Sequence, residues 1–202
     1  IVFGDWSSDV CSSDLGELLI IQKLLGVSYP NNPTKLDVLI EILKTKIALF
    51  GKDCNSFFNL PEATDSYLLA QRQITLKGAM SVAYASPNLS PIQMAKNIRS
   101  LIDKGNSLHC GPSLISYAVF LMNFLNQTEK GFLFGQLGVD LSIRNNNRSV
   151  CLFTDFLYNF LIRHWKMHAR TILPPLLEIY KTGLNYGEFN TAGHAIFIYL
   201  AG

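Results

Sequence analysis

The sequence has no CxxC pair and no cysteine spacing that reads as a ligand set; its four cysteines stand apart at positions 11, 54, 110 and 151. Isolated thiols of this kind fit buried side chains in a reducing compartment better than a disulfide frame, so a cytoplasmic setting is expected. A charge excess is also missing. Seventeen basic and fifteen acidic residues intermix along the chain for a formal charge of +2, which gives no electrostatic footprint for nucleic acid or an anionic membrane surface. Long hydrophobic runs are absent too. The most apolar stretch, Pro112 to Leu125, carries Ser113, Ser116 and Asn123 and falls short of the roughly 18–20 residues that span a bilayer. No charged segment followed by a hydrophobic one opens the chain, so no secretory leader is read there. What is present is a chain of 202 residues, 49% hydrophobic, long enough to bury a sizeable core.

The first fifteen residues stand apart. Asp5 to Leu15 reads DWSSDVCSSDL and resembles the translated text of a common sequencing-library adapter, so 1–15 is set aside as a probable artefact, expected to be disordered. Cys11 leaves the cysteine count with it. The chain begins with Ile1 and stops at Gly202 within the apolar text AIFIYLAG, so both ends are expected to be cuts within a longer gene, with a helical repeat domain over 16–202.

From Gly16 onward, apolar residues recur at three- and four-residue spacing between breaks at Gly, Pro and Asn clusters, which predicts an all-α chain. Glu17 to Leu25 reads as a helix closed by Gly26, followed by a Pro/Asn loop over Ser28 to Thr34. Thr34 can cap a helix running to Phe50, on which Leu36, Leu39, Ile40, Leu43, Ile47 and Phe50 form one apolar stripe. After a loop over Lys52 to Ala63, Thr64 or Asp65 starts a long helix to about Ser86. Pro91 opens the next, which ends near Lys104-Gly105.

In the C-terminal half, helix starts are expected near residues 91, 112, 129, 149, 168 and 188. A helix pair then recurs about every 37–40 residues, in the range of helical solenoids. One helix carries a wide apolar face (Leu114, Tyr117, Ala118, Leu121, Leu125), and another presents Gly131, Gly135 and Gly138, which permit close helix approach. A hairpin of this kind cannot bury its apolar face alone, so the fold expected is a tetratricopeptide-like α-solenoid of stacked antiparallel hairpins with an exposed C-terminal face. Pro174-Pro175 predicts either a kink or a helix beginning at Pro174.

Candidate chemistry is sparse. A phosphate-binding loop needs GxxxxGK followed by Ser or Thr, and the nearest text, Gly51-Lys52-Asp53, lacks the upstream glycine and the hydroxyl; Gly51 reads as the end of a helix. Thr154-Asp155-Phe156-Leu157 half-resembles a kinase metal-binding triplet and reads as a helix start or cap. His164 and His168 stand four apart, a spacing that suits two metal-ligating imidazoles on one helix face. Trp165 occupies the place where a zinc hydrolase carries its general-base Glu, no third ligand lies nearby in sequence, and a helix boundary near Lys166-Met167 would destroy the geometry. The basic group Arg163, His164, Lys166, His168 and Arg170 reads as a solvated turn ahead of an anion site. Trp165 and Phe160 read as core. Cys110 and Cys151 read as small core residues ahead of redox thiols, and Asn88, Asn126 and Asn147, although each opens an Asn-x-Ser/Thr triplet, read as turns.

Several ordered blocks resemble a known family. They are Lys23-Leu24-Leu25-Gly26, Pro33-Thr34-Lys35-Leu36, Leu43-Lys44-Thr45-Lys46, Asn59-Leu60-Pro61-Glu62 with Thr64-Asp65, Phe134-Gly135-Gln136-Leu137, and the run Phe160 to His168. Pro175-Leu176-Leu177-Glu178, Gly183-Leu184 and Ala192-Gly193 follow. Together they resemble the middle region of large bacterial, notably cyanobacterial, hybrid signalling proteins. In those, a serine/threonine kinase domain precedes a P-loop ATPase, a helical repeat region, and GAF and histidine-kinase modules. Pro174 and Asn145-Asn146-Asn147 depart from that pattern. The resemblance covers about Glu17 to Gly202 and implies a non-catalytic scaffold or regulatory segment, with no catalytic, cofactor-binding or metal-binding residue, no cofactor, and no active-site residue to carry over. The partners it implies are other domains of the parent chain, a protein partner or a second copy, rather than nucleic acid or membrane. The alternatives are a free-standing solenoid adaptor that binds a peptide and, more remotely, a metal-dependent hydrolase using His164 and His168.

Overall fold

The computed structural model describes residues 15–201, and within them the chain is helical without a named strand. Residues 1–14, which hold nearly all of the adapter-like segment, lie outside the described residues. Leu15 is the exception: it is helical and packs with Leu19 against Leu18, Val82 and Leu89. No helix among the described residues is long and apolar enough to cross a membrane. The helices group into two compact units that divide between Ser107 and Leu108.

In the first unit, residues 15–24 form α1, followed by α2 (Lys35–Ala48), α3 (Cys54–Phe58), α4 (Ser66–Lys77), α5 (Ala79–Ala85) and α6 (Leu89–Lys104). Local chemistry explains the boundaries. Thr34 and Asp37 form a reciprocal capping box at the start of α2, and Asp65 accepts from the Tyr67 and Leu68 amides to start α4, each satisfying amides that have no partner inside the helix. The single long helix expected from Thr64 or Asp65 to Ser86 is instead two. The chain breaks at Gly78, where the Leu18 side chain from α1 occupies the space a Cβ would need. α3 is a short helix inside the expected loop.

Buried polar side chains tie this unit together. Gln22 of α1 donates to Thr75 Oγ1 at 2.6 Å, and Gln71 donates to Gln22 Oε1 at 3.0 Å, all three residues being buried. Arg72 donates to the Ser100 carbonyl at 2.9 Å, linking α4 to α6. Asn106 donates to the Phe57 carbonyl at 2.9 Å, and its backbone pairs with Pro61 and Ala63. Each bond satisfies a polar group that would be costly to bury alone. α2 lies on α6, and it does so by an unexpected side. Thr45 is buried there, while all six residues of its apolar stripe are exposed.

The second unit contains α7 (Cys110–Leu125), α8 (Thr128–Arg144), α9 (Arg148–Leu161), the 3₁₀ turns Arg163–Trp165 and Ala169–Ile172, α10 (Leu173–Tyr186) and α11 (Phe189–Ala201). The starts fall close to those expected, except that the helix placed near residue 168 begins at Leu173, with proline in its first turn. A prolyl ring is tolerated there because the missing amide has no helical partner anyway; Pro174 therefore marks a beginning and not a kink. α7 packs on α8 and α9, α9 packs on α10 and α11, and α10 packs on α11.

Glycine decides how closely these helices approach. A Cβ on Gly111 would sit 2.7 Å from the Gly138 carbonyl oxygen, and one on Gly138 would sit 2.8 Å from the Gly111 oxygen, so α7 and α8 meet backbone to backbone. Gly135 instead lies against side chains, those of Ile162 and Tyr158 at the end of α9, 3.0 and 3.3 Å from where its Cβ would be. Leu114, Ala118 and Leu121, from the face expected to be apolar, are buried, and Tyr117 meets Phe134 edge-on at 5.1 Å between ring centroids. Leu152, Phe156, Leu176, Ile179 and Ala195 close a cluster among α9, α10 and α11. The outer side of α11 exposes Phe189, Phe197 and Leu200.

Gly111→Ala is expected to cost about 1–3 kcal/mol, because backbone cannot move aside as a side-chain tip can. Gly193, which has open space around its Cβ position, is expected to gain about 0.5–1 kcal/mol as alanine through helix propensity. Urea denaturation of the two variants checks the contrast, and equal effects would contradict the close-approach account.

Candidate functional site

The sequence-level candidates do not assemble into one place. Gly51 has φ +73° and follows the turn that ends α2, while Asp53 Oδ1 accepts from the Ser56 amide at 2.9 Å at the start of α3. Both residues end or start helices. Thr154-Asp155-Phe156-Leu157 lies in the middle of α9, which corrects its reading as a helix start or cap. Thr154 is fully buried; it donates to the Val150 carbonyl at 2.7 Å and bonds the Ser142 hydroxyl at 2.9 Å.

His164 sits in the first 3₁₀ turn, whereas His168 caps the second by accepting from the Arg170 amide at 3.2 Å through Nδ1. The pair therefore lacks a common helix face, and no group of three or more potential ligands gathers among the described residues. Of the neighbouring basic residues, Lys166 pairs with Glu129 and stands over the Phe132 ring, and Arg163 donates to Asn159 Oδ1 at 3.0 Å. Trp165 was expected in the core but is 43% exposed, because the chain leaves α9 at Leu161 and the 3₁₀ turn carries the indole outward. Phe160, by contrast, stacks on Phe156 at 5.8 Å.

Cys110 is buried, and Cys151 donates its thiol to the Ser142 carbonyl at 2.9 Å. Burial pushes the Cys151 thiol up, away from the reactive thiolate, with the nearby Asp155 charge acting in the same direction. Asn88, Asn126 and Asn147 all sit at helix ends, Asn126 in the left-handed region at φ 52° and Asn147 accepting from the Val150 amide at 3.1 Å. The turn reading holds for each.

One concavity was not visible in the sequence. A groove of about 550 Å³ runs among α8, α9 and α10, walled by Val139, Leu152 and Ile179 and bordered by Asp155, Glu178 and Arg148. The Arg148 guanidinium lies over the Tyr186 ring, 4.7 Å from its centroid. Burial pushes the Asp155 carboxyl up; the Asn159 amide donating at 2.9 Å and the charge of Arg163 offset this only in part. Apolar walls with few polar groups suit a side chain or peptide segment. Its lining spans residues 139 to 186 across three successive helices, so no local motif could have announced it. No family model, curated protein or solved structure matches the chain.

Two outcomes follow from these placements. Trp165→Ala is expected to cost only about 0.5–1 kcal/mol, well below the 3–5 kcal/mol of a buried aromatic; chemical denaturation measures it. Asp155, with its folded-state pKa raised, weakens the native state as pH climbs through the interval above its ordinary carboxylate value. Asp155→Asn should therefore melt higher than the parent at neutral pH, with the difference shrinking to nothing in acid below the ordinary range. A gain that persisted in acid would point to some cause other than the buried charge.

Proposed function

We propose that this chain is a non-catalytic, cytoplasmic helical-repeat segment that acts as a scaffold or regulatory spacer within a multidomain bacterial signal-transduction kinase–ATPase. The observation that carries the reading is the packing order of the second unit. α7, α9 and α11 begin at Cys110, Arg148 and Phe189, roughly every 40 residues. Each of the first two packs on both the helix that follows it and the next of its own kind. Units that hide their apolar faces only against the next unit are the hallmark of tetratricopeptide-like solenoids, and the sequence blocks that resemble the signalling family point to the same architecture. In this reading the parent chain's own domains are the first partners, and the repeats transmit or brace rather than react.

A free-standing adaptor is the second reading, favoured by the groove among α8, α9 and α10, whose apolar walls and bordering carboxylates suit a peptide. The two part at the level of the gene: kinase and ATPase coding sequence on either side supports the first, and flanks without them support the second. The remote hydrolase reading would need His164 and His168 to converge on a metal with a further ligand, and elemental analysis of purified protein for stoichiometric zinc tests it.

The scaffold reading also predicts that the isolated chain takes up no nucleotide. Isothermal titration with Mg-ATP should give no saturable heat; stoichiometric binding would overturn it.

A further inference from the structure

α2 is docked with the opposite side to that which its pattern offers. Leu36, Leu39, Ile40, Leu43, Ile47 and Phe50 are exposed to between 41% and 89%. The five from Leu36 to Ile47 share one face of α2, because successive residues turn by about 100° around a helix, and Phe50 follows in the turn beyond its end. The side turned to α6 is polar at its centre. Arg99 of α6 donates to Thr45 Oγ1 at 2.8 Å and to the Glu41 carbonyl at 2.9 Å, and its second Nη pairs with the Glu41 carboxylate. Thr45 also donates to the Ala95 carbonyl at 3.2 Å. This clamp fixes the rotation of α2, so its apolar row cannot turn inward without breaking a largely buried ion pair.

Scattered exposed apolar residues need no explanation, but a row of five along one helix does. Within the helix the row has a period: Leu36 and Leu43 stand seven apart, as do Ile40 and Ile47, the spacing of a helix-to-helix seam. One border is basic. Lys35 and Lys46 flank that edge, while on the other Lys44 is paired with Glu41, which also holds Arg99, and Asp37 is bonded to Thr34. Two copies of this face would set lysine against lysine, and a periodic seam is the shape of a partner helix rather than of a lipid surface.

The geometry points to α2 as a docking face for an amphipathic helix of another polypeptide segment, one with a leucine-type stripe bordered by Glu or Asp. This deepens the scaffold reading, on which it rests, by naming a surface and the chemistry of its partner.

The test uses the full chain and two fluorescent heptad-repeat peptides, both with Leu at the a and d positions, one with Glu and one with Lys at e and g. Anisotropy should show saturable binding of the Glu peptide, about tenfold tighter than the Lys peptide. The double change Leu39→Ser with Leu43→Ser should abolish it while leaving the circular dichroism spectrum and Tm in place, since both side chains are exposed. Lys35→Glu with Lys46→Glu should shift the preference toward the Lys peptide. Equal binding of both peptides, binding indifferent to Leu39 and Leu43, or no binding at all would overturn the proposal. So would partition onto phosphatidylserine vesicles without peptide binding, or a concentration-dependent dimer that Leu43→Ser dissolves. Saturable Mg-ATP heat with peptide binding intact would instead remove the scaffold reading and leave the docking face standing.

Discussion

Everything built in the second unit depends on two backbones touching. Where Gly111 faces Gly138, α7 and α8 come closer than side chains would allow, and Gly111 also lies against Ser142 of α8 and Thr154 of α9, which bond each other. Three helices are thereby fixed by contacts that leave no slack. Dispersion gains fall off steeply with separation, so a small increase in spacing would loosen the buried face of α7 along its length. α9 then serves as the base for α10 and α11 through the cluster around Phe156 and Leu176.

The first unit solves the same problem by different means. Several of its helices are short or interrupted, and the contacts that join them are often buried or partly buried hydrogen bonds: Gln22 with Gln71 and Thr75, Arg72 with Ser100, Arg99 with Thr45 and Glu41, Asn106 with Phe57. Such bonds specify orientation more sharply than apolar packing does, because a donor without its acceptor is heavily penalised. The Glu41 carboxyl shows the balance: burial pushes it up, but the bonds to Lys44 and Arg99 and their charges more than offset that and hold it below its ordinary value.

Much of this architecture was legible in the residues. Capping at Thr34, a helix start at Thr64 or Asp65, a turn at Asn147, the end of α6 at Gly105, and the starts of α7, α8 and α9 followed from periodicity and punctuation, which act locally. The close-packing role of Gly131, Gly135 and Gly138 was readable for the same reason. What escaped was everything set by partners distant in sequence. Gly78 divides a helix because Leu18 arrives against it from another helix. The exposure of Trp165 follows from where α9 stops, not from its hydrophobicity. The groove among α8, α9 and α10 has no motif because its walls belong to separate turns of separate helices. The direction of α2 was hidden for the subtlest reason: a stripe shows which side of a helix is apolar, but the other side is the one held to α6, by Arg99 bonding Glu41 and Thr45 and by Thr45 bonding the Ala95 carbonyl.

The placement of that arginine also bears on the loop entropy lost as the chain closes. Arg99 and Glu41 are separated by 58 positions, whereas α7 meets α8, and α10 meets α11, across turns of only a few residues. Closing a long loop costs conformational entropy before any contact offsets it, and neighbouring helices escape most of that cost. The C-terminal hairpins are thus held by contacts that cost little loop entropy to form. The seat of α2 on α6, by contrast, carries the larger closure cost, which its partly buried bonds to Arg99 must offset.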